Sequence, residues 1–192
     1  QIGLAPDATA DDVDAAIAAA RRAFDETDWA TNHELRVECL RTLHAALVEH
    51  GEDFRALTTA EAGAPAFLTT GPQYDVPVEG IKWVADLAAG YEWETSLPDA
   101  SPMGIATRRT VRREPVGVVG LIIPWNGPFF VAMLKVAPAL AAGCSAVLKP
   151  AEETPLSALK LEEIFREAGL PDGVLNVITG YGETTGAALT AH

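Results

Sequence analysis

The 192-residue chain has little of what marks disulfide-stabilised, membrane-bound or nucleic-acid-binding proteins. Its 2 cysteines are too few for a disulfide framework, and we find neither a secretory signal nor an uncharged apolar span of about 18 residues. It has 14 Lys and Arg against 27 Asp and Glu, and the resulting net charge of −13 repels nucleic acid phosphates and anionic lipids. We therefore expect no nucleic acid and no membrane among its partners, and a cytoplasmic location.

Metal ligands are also sparse. The 4 histidines show no spacing typical of a metal site, so we predict no metal. Cys39 lies in an amphipathic helical pattern, and Cys144 lies between a helix stop and a buried strand. Both positions indicate packing rather than reactivity. The hydrophobic content of 48% is enough for a sizeable core, and we find no internal repeat.

Alternating apolar segments from residue 116 onward predict a parallel sheet. An apolar strand is followed by an almost wholly apolar helix, a second strand, an amphipathic helix and a short third strand, at residues 116–123, 129–142, 144–148, 155–168 and 174–178. Thr154 is the predicted N-cap of the second helix. This order is typical of a doubly wound, Rossmann-like α/β sheet, which binds ligands at the carboxyl ends of its strands.

The residues before this sheet are predicted to be mostly helical. Apolar positions recur with helical period in four segments, which begin near residues 9, 34, 52 and 73. A polar, proline-punctuated connector is predicted at residues 97–102, and an extended segment with four arginines at 105–114. In a chain this acidic, the arginines favour a charged edge strand or a subunit contact over a nucleic-acid site.

Several polar residues lie where the predicted strands end. Asn126, on the turn after the first strand, is rigid enough to donate to an oxyanion, although an Asx-turn that bonds its own backbone is the alternative. Lys149 ends the second strand and Glu152 follows it, so both can reach a ligand over the sheet edge; a solvated strand-end lysine is the alternative. The glycine-rich loop at 180–186 is one residue longer than a dinucleotide fingerprint, and an ordinary turn remains open. Lys135, the lone charge on the apolar helix, indicates either a proton network or a snorkelling side chain.

The motifs IIPWNGPF, PALAAGCSAVLKPAEETPLSAL and GLPDGVLNVITGYGETTGAAL follow one another within residues 116–192. Together with AIAAARRAF, Trp29 and REPVGVVG upstream, they closely resemble the aldehyde dehydrogenase superfamily. The resemblance implies a truncated form of that fold. Its parts are a helical portion of the cofactor-binding domain, an extended oligomerisation segment and the first βαβαβα portion of the NAD-binding domain, at residues 1–98, 99–115 and 116–192. We expect the chain to be an internal piece that lacks the catalytic domain.

The same resemblance implies a reaction and its residues. The reaction is NAD-dependent oxidation of an aldehyde to a carboxylic acid through a cysteine thiohemiacetal, with Asn126 as oxyanion donor. The cysteine and the general base are expected outside this chain. Cofactor contacts are implied for Ile122, Ile123, Pro124, Trp125, Lys149, Glu152, Gly182 and Gly186. A carboxylate at Glu152 accepts from a free ribose 2′-hydroxyl and repels a 2′-phosphate, which favours NAD over NADP.

The resemblance also suggests partners and a substrate mouth. Members of the superfamily form oligomers, so we expect a homo-dimer or homo-tetramer. The chain alone is expected to be inactive, because the nucleophile and the base lie outside it. It is also expected to be poorly stable alone, because three parallel strands leave an apolar sheet edge where the next strands should pair. Gly127 stands where the family turn usually carries a bulky aromatic residue, and Leu134 replaces a larger aromatic residue that some members have. These departures predict room for a bulky or branched aldehyde. The alternatives are a non-catalytic dinucleotide-binding or assembly module with the same fold, and a related acyl-phosphate reductase, against which the PWN turn argues.

Overall fold

The computed structural model describes residues 2–192 and shows a helical first half followed by a β-α-β-α-β unit. The helices are α1 (Ala10–Glu26), α2 (His33–Glu49), α3 (Gly51–Ala62), α4 (Ala66–Thr69), α5 (Asp75–Ala89), α6 (Pro128–Ala141), α7 (Leu156–Glu167) and α8 (Ala187–Ala191). The strands are β1 (Glu94–Ala100), β2 (Thr107–Arg112), β3 (Val118–Ile122), β4 (Ser145–Lys149) and β5 (Leu175–Val177). The predicted sequence of elements after residue 116 is therefore confirmed, with ends that differ by one or two residues.

The main sheet is parallel, with strand order β3-β4-β5. In its register Ile122 lies opposite Lys149, and Leu148 lies opposite Val177. All of β4 is buried, because strands flank it on both sides and helices cover both of its faces. This arrangement confirms the predicted doubly wound α/β sheet.

The two faces of the sheet have separate hydrophobic clusters. On one face, Val13 and Ala20 of α1 pack with Val147 and Ile178. On the other, Ala146 and Leu148 belong to a larger cluster that α2, α5, α6 and α7 share. Successive residues of β4 therefore point to opposite faces, as the period of two in a strand requires. The alternation explains why the helices of the first half are needed to bury the second half.

A buried arginine and a tryptophan fix the helical half to the sheet. Trp29 donates from Nε1 to the Cys144 carbonyl at 2.9 Å. Arg36, 1% exposed, donates to the carbonyls of Ala141, Trp29 and Ala30 at 3.0–3.1 Å. Its burial lowers the pKa of the guanidinium, and the carbonyl dipoles at the end of α6 compensate the buried charge. The junction between α6 and β4 is therefore fixed from outside the sheet.

The start of α7 corrects one sequence prediction. Thr154 does not cap this helix; Pro155 occupies the N-cap position and makes no side-chain cap bond. The Glu61 carboxylate at the end of α3 instead accepts the backbone N–H of Leu156, and that of Ser157 at 3.1 Å. A carboxylate satisfies two free N–H groups and also complements the helix dipole, which a threonine hydroxyl cannot do.

Residues 97–102 are not the polar connector that their composition predicts. Strand β1 runs through Leu97 to Ala100 and pairs antiparallel with β2, so that Leu97 lies opposite Arg109. Pro98 is tolerated because a two-stranded ribbon leaves one edge of each strand without a ladder partner, and the register shifts between Leu97 and Ala100. The arginine-rich segment is thus one half of a β-hairpin.

Candidate active site

The carboxyl ends of β3 and β4 lie side by side. Ile122 pairs with Lys149, and the Ile123 N–H donates to the Lys149 carbonyl at 3.1 Å. Ile123 is buried, whereas Ile122 and Pro124 are exposed. Because of this register, the turn at 124–127 and the loop at 150–155 leave the sheet at the same edge.

Asn126 lies at the tip of the turn that leads into α6. It is exposed, as is Trp125 at 56%, and Pro128 then begins the helix. Its backbone carbonyl accepts a hydrogen bond from Gln73 Nε2 at 3.2 Å. Within residues 2–192 its side-chain amide has no hydrogen-bond partner, so the alternative of an Asx-turn is not observed. The amide is available to a ligand.

Lys135 connects α6 to the end of β3. Its Nζ donates to the Ile122 carbonyl at 2.6 Å, although the side chain is otherwise exposed. The first turns of α6 are therefore bonded to the strand that precedes the Asn126 turn. This contact shows how the single charge of an apolar helix is accommodated, and a proton-transfer role for Lys135 stays a prediction.

Lys149 and Glu152 form a partly buried ion pair. Lys149 is 2% exposed; its Nζ donates to the Pro150 carbonyl at 2.9 Å and lies 3.4 Å from the Glu152 carboxylate. The solvated strand-end lysine is therefore wrong as an interpretation. The pKa of Glu152 is lowered, chiefly by its own backbone N–H and further by Lys149 and the N–H of Gly182, so the carboxylate stays charged near neutral pH.

The glycine-rich loop closes over this pair. After β5 it forms one π-helical turn, Gly182–Gly186, and then α8. A Cβ at Gly182 would lie 4.0 Å from the Glu152 carboxylate, and one at Gly186 would lie 3.6 Å from the Lys149 stem. The four predicted cofactor residues of β4, its loop and this turn are thus neighbours, and the loop is not an isolated surface turn.

The beginning of the chain contributes contacts that the sequence did not reveal. Thr179 donates from Oγ1 to the Pro6 carbonyl at 2.6 Å, and Thr185 donates to the Ala8 carbonyl at 2.7 Å. Gly180 has φ +150, and a Cβ there would collide with Thr185. A cleft of about 330 Å³ opens between residues 5–7, the glycine-rich loop and Glu152. Residues 5–7 therefore form one side of the cleft at the candidate site.

Two other kinds of site have no counterpart in the described part of the chain. No group of three or more His, Cys, Asp or Glu residues there is arranged to hold a metal ion. No helix among residues 2–192 is both long and apolar enough to cross a membrane.

Comparison with known proteins assigns the family. The sequence model of the aldehyde dehydrogenase family matches residues 1–192. The chain belongs to this family. The resemblance on which the sequence interpretation rested is therefore confirmed over its whole length.

Several members of the family are similar to the chain. It is 43% identical to peroxisomal aminoaldehyde dehydrogenase 2 of Pisum sativum and 43% identical to chloroplastic betaine aldehyde dehydrogenase of Amaranthus hypochondriacus, each time over 100% of the chain and 38% of the relative. The solved structure of Mycobacterium tuberculosis aldehyde dehydrogenase complexed with NAD+ superimposes with a TM-score of 0.90 at 43% identity, over 97% of the chain and 38% of that structure. The chain thus spans about 38% of the length of these aldehyde dehydrogenases.

Sequence reasoning missed two polar residues that support the site. Gln73 contacts the Asn126 turn from a chain distance of 53 residues, and Glu61 caps α7 from 95 residues away. Neither stands in a recognisable local motif, because each acts on a backbone group that is remote in sequence. The only signal for Glu61 was indirect: a helix whose first residue is preceded by proline needs an N–H acceptor from elsewhere.

Proposed function

We propose that this chain supplies the oxyanion donor and part of the cofactor site of an aldehyde dehydrogenase that oxidises aldehydes with NAD. The observation that carries the proposal is the grouping at the strand ends: the exposed Asn126 amide stands on the turn after β3, and the Lys149–Glu152 pair follows the neighbouring strand beneath the glycine-rich loop. Open α/β sheets bind ligands at this edge.

Asn126 is proposed to stabilise charge on the aldehyde oxygen. When a nucleophile attacks the carbonyl carbon, the oxygen becomes negative, and a fixed side-chain amide can donate a hydrogen bond to it. Neither cysteine of the chain is assigned as the nucleophile. Cys39 is buried, its Sγ is 3.6 Å from the Gly169 carbonyl, and burial raises the pKa of its thiol; Cys144 is 5% exposed.

Lys149, Glu152, Gly182 and Gly186 are proposed to hold the adenosine end of NAD, with residues 122–125 as backbone and apolar contacts. NAD, when bound, accepts the hydride of the aldehyde. Glu152 is charged, so it can accept from a ribose 2′-hydroxyl and repel a 2′-phosphate. The glycines leave open the space above the ion pair that side chains would fill. Solved relatives in complex with NAD+ support this choice of cofactor.

The β1–β2 hairpin is proposed as the oligomer contact of a homo-dimer or homo-tetramer. Most of its residues are exposed, and its pairing is internal, with Arg112 bonded to Glu94 at 3.0 Å. The hairpin begins at Glu94, so the proposed boundary between the helical part and the extended segment falls within β1. A cytoplasmic location stays a prediction, since similar enzymes carry peroxisomal and chloroplastic names.

The Asn126→Ala variant of the intact enzyme tests the proposal. Removing one oxyanion donor should lower kcat by about 100- to 1,000-fold. The Kd for NAD should stay unchanged, because the amide is not assigned to the adenosine end. Asn32→Ala is the matched control: it removes the same side chain from the N-cap of α2 and should cost stability but not kcat. An unchanged kcat in Asn126→Ala would contradict the oxyanion role, whereas an intact wild-type protein that does not oxidise aldehydes with NAD would favour the non-catalytic alternative.

A further inference from the structure

We propose that Gln73 is a positioning residue that sets the place of the Asn126 amide. The inference rests on the proposed oxyanion role of Asn126. Gln73 Nε2 donates to the Asn126 carbonyl at 3.2 Å, and within residues 2–192 no other hydrogen bond reaches that carbonyl. The bond joins the approach to α5 with the turn after β3, two segments 53 residues apart. It is therefore a tertiary contact made directly to the residue assigned to catalysis.

The turn has little other backbone support. Pro124 and Pro128 have no N–H to donate, and the bonds that flank the turn come from Ile123, to Lys149, and from Val131, to the Gly127 carbonyl. Between these two bonds the chain is held by packing and by Gln73. An oxyanion donor must sit within a few tenths of an ångström of its productive place, and a shift of about 1 Å can cost about 100-fold in rate.

The segment that carries Gln73 is itself rigid. Its backbone N–H donates to the Leu68 carbonyl at 3.0 Å. The neighbouring Tyr74, 1% exposed, donates from its hydroxyl to the Leu47 carbonyl at 2.6 Å. Its ring packs at a tilt against Phe129, with 4.5 Å between the ring centroids. Phe129 belongs to the first turn of α6, directly after the Asn126 turn. The segment that carries the Gln73 amide is therefore packed against α6, the helix that follows the Asn126 turn.

The chemistry at position 73 is specific for a donor. A carbonyl oxygen accepts only from an N–H or O–H group, so the amide of Gln73 must present its nitrogen to Asn126. Its Oε1 is then buried without a hydrogen-bond partner within residues 2–192, 3.7 Å from the place of a Cβ at Gly127. An unsatisfied buried acceptor such as Oε1 has a free-energy cost. A role for the Nε2 donor in positioning Asn126 would explain why the side chain keeps this orientation.

Two substitutions in the intact enzyme separate positioning from packing. Gln73→Met keeps the length of the side chain and removes the donor; Gln73→Glu adds a carboxylate that donates only when protonated. We expect Gln73→Met to lower kcat about tenfold, with the Kd for NAD unchanged. Gln73→Glu should lower kcat further at neutral pH and recover relative to wild type as the pH falls, whereas Gln73→Met should show no such recovery.

The decisive measurement is the double variant with Asn126→Ala. If Gln73 acts through Asn126, adding Gln73→Met to Asn126→Ala should leave kcat unchanged. Equal losses in both backgrounds, or wild-type kcat in Gln73→Met, would overturn the inference. Thermal melting and NAD binding identify a variant that fails to fold, and the pH profile of Gln73→Glu then decides. If Asn126→Ala has wild-type kcat, the proposed oxyanion role has failed. If Asn126→Ala lowers kcat but the Gln73 variants keep wild-type kcat, the proposed function stands and the inference about Gln73 has failed.

Discussion

Glu61 should be essential for the order of the loop that carries Glu152. Its carboxylate is the acceptor for the first two N–H groups of α7, and the N-cap residue Pro155 makes no side-chain cap bond. The Glu61→Ala substitution leaves both N–H groups without this partner and removes a negative charge from the helix N-terminus. Loss of a cap costs about 1 kcal/mol, and the lost dipole interaction adds about 0.5–1 kcal/mol. A local destabilisation of about 2 kcal/mol follows.

Hydrogen exchange measures this effect where it occurs. A local free-energy loss of about 2 kcal/mol should raise amide exchange at the start of α7 by roughly 30-fold, with little change in peptides from β4 or α1. Because Glu152 lies in the loop that leads into α7, binding of NAD should weaken at the same time. Peptide-resolved exchange and a titration with NAD on the intact enzyme record both results.

The control is Glu52, a second glutamate on α3, the helix that carries Glu61. The Glu52 side chain is 94% exposed, and within residues 2–192 it bonds Arg55 alone, so Glu52→Ala should leave exchange in α7 unchanged. If Glu61→Ala changes exchange at residues 156–160 by less than about twofold, the capping argument is wrong. If exchange rises equally throughout the protein, Glu61 stabilises the fold as a whole and not this helix start.

Three further predictions concern substrate size, the pH dependence of NAD binding and the choice of cofactor. Gly127 has φ −158, and a Cβ there would lie 3.7 Å from its nearest neighbour, Gln73 Oε1, so the backbone at this position accepts a side chain. Gly127→Phe should lower kcat/KM for branched aldehydes more than for short linear ones, and equal losses would contradict a widened mouth. The lowered pKa of Glu152 means that its ionic contribution is present above that pKa and is lost only as the pH falls through it. Ionisation of Glu152 should therefore add no pH dependence to the Kd for NAD between about pH 5 and pH 8, and Glu152→Gln should reduce the preference for NAD over NADP about tenfold, as measured by binding of both cofactors.

The sequence predicted the sheet well because its signals are local. Residues 116–123 and 144–148 are apolar runs of strand length with a proline or glycine at their ends, and a strand buried on both faces requires such a run. The family motifs then identified the strand-end residues, and the register confirmed that Ile122 and Lys149 end together. Position along a strand is readable from sequence because it depends on neighbours in the chain.

The parts that sequence missed depend on distant groups. The β1 strand has a polar composition with Pro98, and it is a strand only because β2 returns to pair with it. The cap on α7 comes from another helix, and the burial of Lys149 depends on the glycine-rich loop that arrives later in the chain. In each case the interaction that determines the structure joins residues far apart in the chain, and the local apolar pattern of the sequence carries no signal for it.

The bonds from Thr179 and Thr185 to the chain start have a consequence for folding. They join residues that are 173 and 177 positions apart, in a chain of 192 residues. Contacts of such long sequence separation cost the most loop entropy and form slowly. During synthesis, residues 6–8 must therefore wait for nearly the whole of this sequence to leave the ribosome before they acquire these partners.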